Sequence, residues 1–174
     1  METGFEPREV QLRDGRTVRL REARPTDEDE FLQAFGRMSS QARYMRFMSA
    51  IRNPNVARLH AVLESIPEHG EVIVATVRAP DGIDIVGSAM FMLLPDGASC
   101  EFAITVNEQW NGAGLGRVLM EAIIEAARAR GLATIQGFVF SSNQPMLRLA
   151  ERVGFSAARD PDDATIRVVT LHLR

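Results

Sequence analysis

The stretch "NEQWNGAGLGRVLM" (Asn107–Met120) places glycines at 112, 114 and 116, immediately before an apolar pattern of helical period. A helix N-terminus leaves several backbone N–H groups without partners and carries about half a positive charge. A run without side chains there can therefore receive phosphate oxygens, and pyrophosphate is the natural guest. The kinase-type phosphate loop requires Gly-Lys-Ser/Thr, and the chain contains no lysine. The dinucleotide fingerprint requires Gly-x-Gly-x-x-Gly after the first strand of a βαβ unit, whereas here the spacing is Gly-x-Gly-x-Gly after consecutive strands. Neither fits. A tight strand-to-helix turn is the other account of these glycines, and two would serve it as well as three. The remaining reactive residue types are sparse. Cys100 stands alone and forms no internal disulfide, and His60, His69 and His172 have no metal-ligand spacing, so no metal is expected.

The elements that must position the loop can be read along the chain. "RTVRLREA" alternates Val18 and Leu20 with arginines, as a half-buried strand does. "RPTDEDEFLQAFGRM" predicts a helix with Thr26 as N-cap, acidic residues in the first turn, and Phe31, Leu32, Phe35 and Met38 on one face. "SSQARYMRFMSAI" and "NPNVARLHAVLESI" predict further helical pieces, the second opened by Pro54. From Glu71 the texture becomes β-rich. "EVIVATVR", "DIVGSAMFML" and "SCEFAITV", separated by "APDG" and "PDGA", predict an antiparallel meander. After the glycines, Leu115, Val118, Leu119, Ala122, Ile123 and Ala126 follow helical spacing up to a stop at Gly131. "ATIQGFVF" predicts a strand, "NQPMLRLAERVG" a helix capped by Asn143 and ended by Gly154, and "ATIRVVTLHL" a last strand. The fold class is α/β, with a mixed central sheet of about six to seven strands flanked by about four to five helices.

With 174 residues, 45% hydrophobic and 25% charged, the chain fits one globular domain, expected over 15–174, with 1–14 as a flexible N-terminal segment. A net charge of −3 lacks the basic excess of a nucleic-acid or anionic-membrane binder, so neither partner is expected. No signal peptide or membrane-spanning run is evident, and the expected location is cytoplasmic. All 20 basic residues are arginine, for which compositional bias of the source is the plain account.

The residues resemble a known family. "QWNGAGLGRVLM", followed 27 residues after Gly116 by Asn143 in "SSNQPMLRLAERVGF", is similar to the two conserved blocks of GCN5-related N-acetyltransferases (GNAT), Q/R-x-x-G-x-G/A and an Asn followed by Gly-Phe. "LRDGRTVRLREARPTDEDEF", "SSQARYMRFM" and "CEFAITV" resemble the subgroup with bacterial Pat-type protein lysine acetyltransferases. Both Gln109 and Asn111 can start the first block; the apolar stripe from Leu115 favours Asn111-x-x-Gly114-x-Gly116, so Asn111 stands where the family usually has Gln or Arg. The resemblance implies acetyl-CoA as cosubstrate. Its pyrophosphate would be held by Asn111 and the amides of Gly112, Ala113, Gly114, Leu115, Gly116 and Arg117, its pantetheine arm by Ile104, Thr105 and Val106, and its other side by Asn143. A plain helix cap is the alternative for Asn143.

The same resemblance implies an amine acceptor. A lysine amine has a pKa near ~10.4, so about one in a few thousand is neutral at pH 7, and a general base is wanted. The Pat-type glutamate base corresponds to Glu101, expected to be partly buried among Phe91, Met92 and Phe102, with its pKa raised from ~4.3 toward neutrality. A solvated strand-edge carboxylate is the alternative reading. Many family members protonate the departing thiolate with a tyrosine where this chain has Ala150. A thiol of pKa near ~8.5 can leave without such help. Tyr44, the single tyrosine, is read as packing or as lining the acceptor groove, and Cys100 as a core residue. The resulting expectation is transfer of acetyl from acetyl-CoA to a primary amine, protein lysine favoured. A small-molecule amine acceptor and a non-catalytic acyl-CoA sensor are the alternatives. "ATIRVVTLHLR" could pair across a homodimer at the sheet edge.

Overall fold

The computed structural model describes residues 5–36, 56–66, 68–79 and 82–174. The helix expected over "SSQARYMRFMSAI", with Tyr44, as well as Met38 and Pro54, lies outside the described residues. The order is β1 (Arg8–Gln11), β2 (Thr17–Glu22), α1 (Glu28–Gly36), α2 (Val56–Ser65), β3 (Gly70–Ala79), β4 (Gly82–Leu93), β5 (Ser99–Val106), α3 (Leu115–Ala129), β6 (Thr134–Phe140), α4 (Gln144–Arg152), β7 (Ser156–Arg159) and β8 (Ile166–His172). The eight strands form one mixed sheet, β1-β2-β3-β4-β5-β6-β8-β7. All neighbours pair antiparallel except β5 and β6, which are parallel. The α/β class holds, with eight strands rather than six or seven and four α-helices among the described residues.

The two unanticipated strands are the sheet's edges. Arg8–Gln11, within the stretch expected to be a flexible segment, pairs with β2 through a turn at Asp14-Gly15, where Gly15 has φ +89°. Ser156–Arg159 pairs with Arg167–Thr170 of β8. β8 therefore lies inside the sheet, and the expected pairing of this strand across a dimer is not available over those residues. Both edge strands are four residues long and largely exposed, so neither shows an alternating hydrophobic pattern, and short polar edges of this kind resist unwanted strand pairing.

A second difference lies at the entry to α1. Thr26 is not the cap: Pro25–Asp27 form a 3-10 turn entered from Arg24, and the Asp27 carboxylate accepts from the Arg24 amide at 2.7 Å. The same carboxylate takes two 2.8 Å bonds from the Arg21 guanidinium, a charge pair that is nearly buried.

The main core lies between the sheet and α3. Leu115, Leu119, Met120 and Ile123 are all but fully buried there, each contributing ~2 kcal/mol through the apolar surface it removes from water. On the opposite face Leu63, Val62 and Phe31 of α2 and α1 pack on Val72, Val74 and Ile85. The sheet thus separates two compartments, and alternation along β5 sends Cys100, Phe102 and Ile104 into the first.

One charged cluster is buried near the C-terminal end of α3. Glu71 of β3 is 5% exposed and has a carboxylate oxygen without a hydrogen-bond donor among the described residues. Burial, then the neighbouring Glu22 carboxyl, pushes Glu71 up to about 7, opposed by Arg130, whose guanidinium lies 3.9 Å away.

Candidate active site

The site begins where two strands part. β4 and β5 pair along seven positions, Gly87↔Val106 to Leu93↔Cys100. The parallel β5–β6 ladder holds only Ser99↔Thr134, Cys100↔Ile135 and Glu101↔Gln136. Beyond Glu101 the strands diverge, opening a notch along the rest of β5. Phe102 occupies the point of divergence: its ring lies across Gly137, the residue after Gln136, so closely that a Cβ there would be 2.5 Å from Cε1. The ring also packs on Phe155 at 5.3 Å between centroids. Gly137 therefore leaves room for a ring that stands where ladder pairing would otherwise continue.

The glycine loop lies at the far end of the notch. After Val106 the Asn107 side chain accepts from the Gln109 amide at 3.0 Å and starts a 3-10 turn over Glu108–Trp110. Gly112 and Gly114 then take φ of +78° and +90°, and Gly114 is the N-cap of α3. The helix thus starts at Leu115 with Gly116 in its first turn, which agrees with the register beginning at Asn111. The first amide to bond back is that of Val118, to the Gly114 carbonyl at 3.1 Å. Among the described residues, the amides of 112–117 donate to no backbone carbonyl outside the helix ladder. Six consecutive backbone donors thus gather at the positive end of a 15-residue helix, the arrangement in which helix ends receive anions.

The three glycines have different reasons. Gly112 and Gly114 adopt a backbone that side chains disfavour, which a tight turn alone explains. Gly116 has no positive φ, and a Cβ there would meet Leu149 of α4 at an ordinary 3.4 Å. The turn does not require it, so its lack of a side chain is the part of the pattern that a tight turn leaves unexplained.

Asn143 caps α4, its Oδ1 accepting from the Met146 amide at 3.4 Å. The cap reading is thus realised, and the side-chain NH2 group is left to donate elsewhere. Asn111 is exposed and ends the 3-10 turn, its amide bonded to the Glu108 carbonyl at 3.1 Å. The Arg117 side chain bonds Glu121 at 2.9 Å, which leaves its backbone amide as the group expected at the loop.

Glu101 lies at the last rung of the short ladder, between Met92 and Gln136. Its side chain is exposed, contrary to the partial burial expected for it. Alternation is the reason: Phe91 and Phe102 are partners in the register and point into the α3 core, whereas Glu101 and Met92 lie on the face of α1 and α2. Cys100 is fully buried, and that burial pushes its thiol up to about 12, which makes it a core residue and no nucleophile. Ala150, at the place of the family's tyrosine, is likewise buried.

The sequence reading missed one contributor, the β1–β2 turn. It docks on the loop through an Arg13 amide bond to the Ala113 carbonyl at 3.2 Å. Arg16 bonds the Gln109 carbonyl at 3.1 Å and stacks 3.9 Å over the Trp110 ring. The signal was present: Asp14-Gly15 between "REVQL" and "TVRL" is a hairpin turn dipeptide.

Among the described residues no three metal-ligating side chains cluster, and no helix is long and apolar enough to cross a membrane. The family model for the acetyltransferase (GNAT) domain matches residues 17–156. The chain is 30% identical to acetyltransferase PA5475 of Pseudomonas aeruginosa over 88% of its own length and 83% of the relative's. It is 31% identical to acetyltransferase Pat of Mycolicibacterium smegmatis over 85% of its length, spanning 44% of that longer protein. Among solved structures, the GNAT domain of S. lividans PAT superposes with a TM-score of 0.86 at 20% identity, over 95% of this chain and 96% of that one.

Proposed function

The chain belongs to the GNAT acetyltransferase family, and from that premise we propose that it moves acetyl from acetyl-CoA to a primary amine, protein lysine favoured, by direct attack with Glu101 as general base. The observation that carries this reading is the notch between β5 and β6, with a carboxylate at its closed end and an anion seat at its open end. Glu101 and Val106 are five residues apart, about 16 Å along an extended strand. A cosubstrate with its pyrophosphate on the amides of 112–117 needs an arm of that order to bring its thioester to the carboxylate. The diverging strand offers the backbone of Ile104 and Val106 to that arm, as an added strand would use it. Gly116 lets the phosphates approach the helix, and Asn143 directs its amide NH2 from the other wall.

In this reading Glu101 removes the proton that keeps the amine from attacking, directly or through water, and its exposed position lets a bulky acceptor reach it. Backbone N–H groups near Ile104 stabilise the oxyanion of the tetrahedral intermediate. Collapse expels CoA thiolate, which takes its proton from water because Ala150 offers none. The acceptor preference rests on resemblance to the Pat-type subgroup.

Glu101→Gln tests the role at unchanged size. CoA release is measured with lysine-containing proteins and small amines side by side, with acetylated products identified by mass spectrometry. Loss of roughly 10²–10⁴-fold in turnover, with acetyl-CoA affinity retained, is expected. Undiminished turnover removes Glu101 as base, and transfer confined to small amines removes the protein acceptor.

A further inference from the structure

We infer that Arg13, presented by the β1–β2 turn, is a pyrophosphate-binding residue for the CoA cosubstrate, closing the glycine loop from a separate part of the chain. This rests on the reading of that loop as the phosphate seat.

The turn is fixed against the loop at several points. The Arg13 amide bonds the Ala113 carbonyl at 3.2 Å, and its Nη2 bonds the Gly112 carbonyl at 3.3 Å. The guanidinium lies directly on the N-cap: a Cβ built on Gly114 would be 3.2 Å from Arg13 Nε and 3.7 Å from Nη2. Gly114 therefore does two things, adopting a positive φ and leaving room for a cation beside the first free amides of α3.

The neighbouring arginines are already committed. Arg16 is held by Asp14 at 2.6 Å and by Trp110. Arg117 is paired with Glu121 at 2.9 Å, and Arg8 with Glu125 at 2.9 Å. Arg13 has no carboxylate partner among the described residues. It is exposed, and its one side-chain bond is long and made to a neutral carbonyl. Its other side-chain donors have no protein partner among the described residues, although its own backbone and the Arg16 anchor hold the turn in place.

Chemistry supplies the ligand. The helix end offers about half a positive charge, too little to match a pyrophosphate, and Asn111 at the head of the motif is neutral. A guanidinium supplies a full charge and a planar fork suited to two phosphate oxygens. Its position beside the amides lets both act on one anion.

The test is direct titration of the full chain by calorimetry with CoA, 3′-dephospho-CoA and pantetheine, which needs no acceptor. Arg13→Ala is expected to weaken CoA and 3′-dephospho-CoA alike, roughly tenfold to a hundredfold, and to leave pantetheine unchanged. Arg13→Lys is expected to recover part of the loss, as a point charge without the fork. An equal loss for pantetheine shows that Arg13 only props the loop and overturns the inference. A loss confined to CoA places the contact on the 3′-phosphate and overturns it too. If Arg13→Ala binds CoA as the parent does, while the parent still prefers CoA to pantetheine, the inference fails alone. If the parent binds both equally, the phosphate-seat reading fails with it.

Discussion

Replacing Glu71 with glutamine should make the protein more stable in weak base while changing little in weak acid. Glu71 is nearly buried beside the Glu22 carboxyl, and one of its oxygens has no hydrogen-bond partner among the described residues. Burial, then the hydrogen bond and charge of the neighbouring Glu22 carboxyl, disfavours the ionised form, which is why the folded state holds Glu71 up to about 7 against an ordinary 4.5. A group whose folded pKa is raised gives stability that is complete below the unfolded value and is lost as the pH climbs through the folded one. Here the loss runs between about 4.5 and 7 and is finished by pH 8. At ~1.4 kcal/mol per pH unit the full difference is on the order of 3 kcal/mol, and relaxation of the site around the ionised carboxylate makes ~1–3 kcal/mol the working range. Glutamine donates to Glu22 permanently and does not titrate. The difference between parent and Glu71→Gln in urea denaturation should therefore be near zero at pH 4.5 and 1–3 kcal/mol in the variant's favour at pH 8, or roughly 2–12 °C in melting temperature. Other titrating groups shift both curves alike and cancel in the difference. Parallel stability curves for parent and variant across this range would refute a Glu71 carboxyl held protonated by its burial.

Two further substitutions separate roles that coincide in one residue. Asn143→Asp keeps a good cap on α4 and removes the NH2 donor, so melting temperature should hold within about 2 °C while CoA affinity falls several-fold; Asn143→Ala should also lose the cap, at ~1 kcal/mol. Gly137→Ala puts a methyl 2.5 Å from the Phe102 ring at the point where β5 leaves β6. An overpacking cost of about 1–3 kcal/mol is expected in denaturant titration, and an unchanged midpoint would show that the ring moves aside freely.

What the sequence made legible was whatever repeats or has a local chemical reason. α3 carries an apolar stripe and β3 to β5 carry turn dipeptides between apolar runs, so their order and pairing followed. The start of α3 after Gly114 followed from the stripe, and Asn143 as a cap from its side chain. The misses share a cause, dependence on partners distant in sequence. β1 and β7 are strands only because β2 and β8 lie beside them, and their own residues alternate too little to declare it. Thr26 has the right side chain for a cap, but Asp27 reaches Arg24 and Arg21 at once, and Arg21 belongs to β2. Glu101 was assigned neighbours by proximity along β4 and β5, whereas the pleat sends Phe91 and Phe102 to the other side. The contact of Arg13 with the glycine loop was invisible because it lies 99 positions from the carbonyl it touches.

The three-rung ladder between β5 and β6 divides the molecule in a way the continuous strand order conceals. β1 to β5 form one leaf and β6, β8 and β7 another, each built almost entirely from hairpins or chain neighbours, with α3 as the bridge. The β5–β6 junction has the fewest ladder pairs in the sheet, three against four or more at each of the other junctions. A molecule lying in the seam with its head on α3 and its arm along β5 would bind both leaves together. An arm paired along β5 would then supply backbone hydrogen bonds where the sheet itself has the fewest.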